Sequence, residues 1–290
     1  MAGDRIIWVD PNGIETVLSE HPNMMVLLDK EGFDMPSFSF EEEEIPFEAG
    51  SFLRGINADP REVDMLVAFR AASATELRSV RRSFLSLFNP LRGDGRLRVR
   101  ASDGSERELI CRYKTGLEGT EKRGQTGRWY QIRTLTFRAF DPYWYDVQPK
   151  TFSFQLDQNP PKWFPLFPLR LGGEAISSEI QVDNEGDVVT FPNWTIRGPG
   201  ANPKMTNLTT GEIIHLNNIK LDESQSITID IKPRENQILL NDGSDLFVNL
   251  AFGSTLWRIQ PGRNIIKIEL PGSTIQSRID LSFRPRYLGV

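Results

Sequence analysis

The stretch from Phe137 to Asp146, FRAFDPYWYD, decides how the whole chain is read. The residues leading into it, WYQIRTLTFRAF, alternate in the manner of a half-buried strand. Asp141-Pro142 interrupts that alternation, because proline offers no amide hydrogen to a ladder. Tyr143, Trp144 and Tyr145 follow at once. As chemistry, the carboxylates of Asp141 and Asp146 beside aromatic rings suggest a sugar-processing cleft. As architecture, the segment ends a strand and anchors a boundary, since large rings bury apolar area while keeping polar handles.

Outside this stretch the bulk properties narrow the classes. A chain of 290 residues favours about two domains and permits one large one. With 39% hydrophobic and 25% charged residues it reads as globular, neither disordered nor fibrous. A net charge of −5 gives no general attraction for nucleic acid or an anionic membrane. The single cysteine, Cys111 in RELICRY, alternates with Leu109 and Tyr113 and reads as a core strand residue. MMVLL is far shorter than the ~20 residues of a membrane span, and MAGDRIIWVD lacks the pattern of a secretory signal. Synthesis and assembly in the cytoplasm is the expectation.

The first half holds strand-like pieces, DRIIWV, MPSFSFE and VDMLVAF, separated by turn-rich SEHPN, DKEGFD and NADPRE. One helix is predicted from Ser73. SATE supplies a capping box, and Leu77, Val80, Phe84, Leu87 and Phe88 recur as one apolar stripe until Asn89-Pro90 stops it. Arg78, Arg81 and Arg82 lie off the stripe, on a solvated face or a subunit contact. GRLRVRASDGSERELICRY then reads as a hairpin with Asp103-Gly104 at its bend. The glycines of TGLEGTEKRGQTGRW fit no phosphate loop, and the segment from Thr115 to Arg128 reads as a hairpin arm.

From TFSFQL onward helical periodicity nearly vanishes. SITIDIK, LFVNLAF, NIIKIEL and RIDLSF read as half-buried antiparallel strands, separated by the turns DNEGD, GPGANP, NDGSD, QPGRN and LPGST. Two packed sheets bury such strands most simply. The boundary falls around residues 146 to 165, where QPK and NPPKWFPLFP break the pattern.

Candidate chemistry is sparse. His21 and His215 are the two histidines, and no zinc pattern is present. DNEGD resembles a fragment of a calcium loop without its terminal ligand and reads as a solvated turn. Trp163, Trp194 and Trp257 invite a carbohydrate-binding reading, although indoles equally fill core gaps. Abundant carboxylates give weaker support to a glycoside hydrolase. The run Glu41, Glu42, Glu43, Glu44 reads either as a solvated loop or as the lining of a channel, with Ile45, Pro46 and Phe47 anchoring its end.

FRAFDPYWYD, NEGDVVTFPNWTIRGPGANPKMTNLTTGE, QSITIDI, GSTLWRIQPGRN and RPRYLGV, in this order and spacing, resemble the distal tail proteins of siphovirus-type bacteriophages over nearly the whole chain. The resemblance implies a mainly β fold with one clear helix. It assigns residues 1–145 to a β-rich, ring-forming belt domain and 146–290 to a galectin-like β-sandwich, with the last residues returning to the junction. It implies a non-enzymatic structural protein without cofactors or metals. It further implies that six copies form a ring joining the tail tube to the tail-tip hub, carry peripheral receptor-binding components and let viral DNA pass without specific binding. The place it implies is the distal end of the virion tail. The family's DPYW-type segment matches Asp141, Pro142, Tyr143 and Trp144, which become the expected domain junction, with Asp141 and Asp146 serving turn hydrogen bonds. No galectin sugar-binding signature accompanies the fold, so lectin activity does not follow from it. A carbohydrate-binding sandwich at a phage or cell surface is the alternative. Long polar excursions nominate Glu41, Glu42, Glu43, Glu44, Glu118, Lys122 and Arg123 as contacts to neighbouring subunits or the tube end.

Overall fold

The computed structural model describes residues 4–44, 47, 49–118, 127, 129–156, 175–232 and 235–290. The chain forms two compact units, Met1–Val147 with Tyr287–Val290, and Gln148–Arg286. It is mainly β, with one α-helix among the described residues.

The first unit contains β1 (Arg5–Val9), β2 (Glu15–Val17), β3 (Met24–Glu31), β4 (Phe38–Glu44), β5 (Ser51–Ala58), β6 (Arg61–Arg70), α1 (Ala74–Leu87), β7 (Gly95–Arg100), β8 (Glu106–Thr115), β9 (Tyr130–Ala139) and β10 (Trp144–Asp146). Its main sheet runs β2-β1-β7-β8-β9-β6-β3, with β10 alongside β8. β6 shows why: Val63, Met65, Val67 and Phe69 are buried, while the residues between them are at least partly exposed. Period-two burial of this kind fixes register, because a one-residue slip would turn the whole apolar set to water.

Helix α1 covers the buried face. The Ser73 hydroxyl accepts from the Glu76 amide at 3.1 Å. The Glu76 carboxylate reaches past Ser73 to the Ala72 amide at 2.8 Å, one residue earlier than a standard capping box predicts. Leu77, Phe84 and Phe88 are buried, whereas Val80 and Leu87 are half-buried. Phe84 packs on Phe69 at 5.0 Å, and Phe88 meets Trp8 and Phe137 edge-on at 5.4 and 5.3 Å. Gly95 in β7 makes room for the indole of Trp8, since a Cβ there would lie 2.2 Å from the ring. Cys111 on β8 is a core residue, and burial pushes its thiol up to about 12.

The second unit contains β11 (Lys150–Gln155), β12 (Ala175–Asn184), β13 (Asn193–Arg197), β14 (Gly200–Ala201), β15 (Lys204–Asn207), β16 (Glu212–His215), β17 (Lys220–Leu221), β18 (Ser226–Asp230), β19 (Gln237–Leu240), β20 (Gly262–Pro271) and β21 (Arg278–Phe283). A five-stranded sheet, β11-β21-β13-β18-β19, and a four-stranded sheet, β12-β20-β15-β16, supply one sandwich-like core. Ile227 and Ile229, Ile266 and Ile268, and Ile279 and Leu281 are fully buried, as their alternation predicts. Each such side chain contributes roughly 1.5–3 kcal/mol of hydrophobic stabilisation. Trp194 and Trp257 meet edge to face at 5.5 Å inside this core, and the Trp257 indole donates to the Met205 carbonyl at 3.2 Å.

LFVNLAF, expected to be a strand, is instead a short 3-10 turn at Phe247–Asn249. The Asp245 carboxylate accepts from the Phe247 amide at 2.9 Å, and this local bond turns the backbone away from a ladder. Val248 and Phe252 consequently stand fully in solvent.

The last short strand, β22 (Arg286–Tyr287), pairs with β10, and Tyr287 joins the first unit's core.

Candidate functional site

FRAFDPYWYD is where one strand edge is broken and resumed. Arg138 on β9 faces Arg112 of β8, and Tyr145 on β10 faces Glu108 of the same strand. Seven residues on one side thus run past four on the other, and the surplus is taken up at Phe140 to Tyr143, around Pro142. The strand does not simply end: it bulges and continues along β8. The Tyr145 hydroxyl donates to Asp141 Oδ2 at 2.5 Å, and the Tyr143 amide to Oδ1 at 3.4 Å. Asp141 is therefore a turn residue. Asp146 lies within β10, opposite Arg107. Trp144 is fully buried, stacked on Phe33 at 5.8 Å with the Arg61 guanidinium 5.9 Å from its ring centre.

Arg61, which carries no motif, holds this region. Only 3% exposed, it donates from Nε to the Pro142 carbonyl at 2.6 Å and from Nη1 to the Gly32 carbonyl at 2.8 Å. Further bonds reach the Asp34 and Leu288 carbonyls. Burial lowers its pKa to about 10, with Asp34 and Tyr143 acting upward, so it stays charged at neutral pH. The guanidinium fork suits this work, because its donors point in fixed, divergent directions. Arg107 similarly donates to the Gly289 carbonyl and stacks 3.8 Å from the Tyr287 ring centre.

The four glutamates of residues 41–44 are not in a loop. They lie on β4, which pairs with β5 in a two-stranded sheet separate from the main one. Phe38 faces Ala58, Phe40 faces Ile56, and Glu42 faces Leu53, with the register shifted by one between Glu41 and Glu42. Alternation places Phe40, Glu42, Glu44, Leu53 and Ile56 on one face and Glu41, Glu43 and Asn57 on the other. The second face pairs its polar groups, through Asn57 to Glu41 at 2.9 Å and an Arg54–Glu43 ion pair, and also carries the exposed ring of Phe52 opposite Glu43. On the first face Phe40, Leu53 and Ile56 are more than half exposed. Phe47, expected as an anchor, is fully exposed, and Ile45 and Pro46 lie outside the described residues.

Glu118 folds back locally, accepting from the Tyr113 hydroxyl at 3.1 Å and the Gly116 amide at 2.8 Å. Burial pushes its pKa up, but the Gly116 bond and its other hydrogen bonds prevail and hold it below the usual range. Lys122, Arg123 and most of the proposed arm lie outside the described residues, as does Trp163.

Among the described residues no group of three or more His, Cys, Asp or Glu side chains could hold a metal ion. Trp194 and Trp257 are at most 1% exposed, so neither presents a flat face to a sugar.

The family model described as phage tail protein RIFT-related domain matches residues 23–161, and that described as siphovirus-type tail component, C-terminal domain, matches residues 185–287. The chain belongs to the siphovirus-type distal tail protein family. This distal tail protein has the fold of the SPP1 Dit (gp 19.1) protein, described as a paradigm of hub adsorption apparatus in Gram-positive infecting phages. Identity is 16%, the TM-score 0.70, and the match covers 98% of each chain. Chains of the phage p2 baseplate in its activated conformation, with Ca or with Sr, match at 10% and 11% identity. Both have a TM-score of 0.51 and cover 96% of this chain and 97% of the other. No curated protein matches the chain. The protein is a structural component of the virion tail.

Proposed function

We propose that six copies of this distal tail protein close a ring that joins the tail tube to the tail-tip hub. The first unit acts as the belt domain. The second is a galectin-like sandwich that offers attachment to peripheral adhesion proteins. The observation that carries this reading is fold likeness across both units to a hub protein, at 98% coverage of each chain. The five-stranded and four-stranded sheets of the second unit suit a galectin-like fold. On this reading Asp141, Pro142, Tyr143 and Trp144 serve as the junction where the chain leaves the belt. The overall negative charge suits a channel that DNA crosses without sticking. Assembly takes place in the bacterial host cytoplasm.

Head-to-tail contacts that close a cycle need two different complementary surfaces on each copy. Native mass spectrometry, alone and with the tube protein, tests the ring. A six-copy species is the expected result. A chain that stays monomeric and binds neither tube nor hub overturns the reading.

A further inference from the structure

The hairpin formed by β4 and β5 leaves one face unresolved. A two-stranded hairpin is marginal by itself in water, yet this one shows Phe40 at 58%, Leu53 at 57% and Ile56 at 53% exposure on one side. The same side carries Glu42, bonded to the Ser51 hydroxyl at 2.5 Å, and Glu44. Neither takes part in an ion pair among the described residues, in contrast to Glu43 on the opposite face. The face is thus acidic at the end bearing Glu42 and Glu44, apolar along the rest, and uncovered.

Its complement lies elsewhere on the first unit. On α1, Arg78, Arg82 and Leu85 stand at i, i+4 and i+7 and share the side turned away from the core. Arg78 and Arg82 are exposed and take part in no ion pair among the described residues. Leu85 is 48% exposed, and Leu91, in the turn that follows the helix, is 92% exposed. The spacings agree as well. Two residues of strand separate Glu42 from Glu44 by about 7 Å, and four residues of helix separate Arg78 from Arg82 by about 6 Å.

We infer that the acidic-apolar face of the β4–β5 hairpin docks on the basic-apolar face of α1 in a second copy of this chain. Glu42 and Glu44 meet Arg78 and Arg82, while Phe40, Leu53 and Ile56 cover Leu85 and Leu91. The occupant is a second copy because the two patches are opposite in charge, agree in charge spacing, and each sets exposed apolar residues beside its charges. The contact joins two different surfaces, so it repeats head to tail as a ring requires. This inference rests on the ring reading and assigns it a pair of faces.

The test is site-directed cross-linking in the full chain carrying Ile56→Cys and Leu85→Cys, with a short bismaleimide. The native Cys111 is buried, with its thiol pushed up to about 12, and stays unlabelled. A ladder of covalent multimers is expected. Charge reversal by E42K with E44K, or by R78E with R82E, is expected to raise the concentration needed for assembly roughly tenfold. The four changes together should restore it, which a folding defect would not allow. Cross-links only within one chain, only to the tube protein, or absent while the unmodified chain forms a ring overturn the inference and leave the ring reading standing. Failure of the unmodified chain to form a ring with or without tube protein overturns both.

Discussion

Replacing Arg61 by methionine keeps the length of the stem and removes every donor. In the folded chain those donors meet the carbonyls of Pro142, Gly32, Asp34 and Leu288. A hydrogen bond from a charged donor contributes roughly 1.5–3 kcal/mol, so four would give a ceiling of several kcal/mol. Removing the guanidinium also returns its desolvation cost, of similar order. The surviving term is the penalty for carbonyls left without donors. Arg61 is only 3% exposed, so water reaches those carbonyls poorly, and a net loss of about 3 kcal/mol is expected. Arg61→Lys keeps the charge but cannot span all four acceptors, and about half that loss is expected. Urea unfolding followed by tryptophan fluorescence reads the stability. Amide exchange at Val290, whose N–H donates to the Phe33 carbonyl at 3.2 Å, reads the tethering of the last residues. A loss below ~0.5 kcal/mol in Arg61→Met, with exchange at Val290 unchanged, would refute the argument.

The remaining predictions concern single elements. Ser73→Ala removes the cap of α1 and should cost about 1 kcal/mol in urea unfolding. The raised pKa of Cys111 keeps its thiol neutral through the range where a free cysteine ionises. Its maleimide labelling in the folded chain should therefore stay near zero from pH 7 to about pH 9, and one equivalent should react once the chain is unfolded. Trp194→Ala should cost about 3–5 kcal/mol by opening a cavity in the second unit. A stable Trp194→Ala chain that has lost affinity for a glycan would instead favour a sugar site at that indole.

The parts of the fold legible in the sequence are those with water on one side only. β18, β20 and β21 each bury one face, and their buried apolar residues, such as Ile227 and Ile229, Ile266, Ile268 and Leu270, and Ile279, Leu281 and Phe283, appear at every second position for that reason. α1 was legible through its cap and stripe. Of the β4–β5 hairpin only the start of β4, in MPSFSFE, was legible; β5 and the EEEE end were not, because a strand with solvent on both faces has no period to keep, and EEEE reads as readily as a loop. LFVNLAF misled for the opposite reason: its apolar residues are present, but a single aspartate turns the backbone before a ladder forms. Arg61 gave no signal at all. Its acceptors lie up to 227 positions away, and a charged residue at the start of a strand reads as surface. The role of FRAFDPYWYD was half visible. Pro142 announced the interruption, but the resumption along β8 depends on a neighbour that local sequence does not name.

The return of Tyr287–Val290 to the first unit has a consequence for biosynthesis. A chain emerging from the ribosome offers residues 1–147 long before Leu288 exists. During that interval Arg61 lacks one of its acceptors, and Tyr287 has not entered the core. The first unit is therefore completed only after the whole second unit has been translated. A nascent or prematurely terminated polypeptide lacks this final clasp on the first unit.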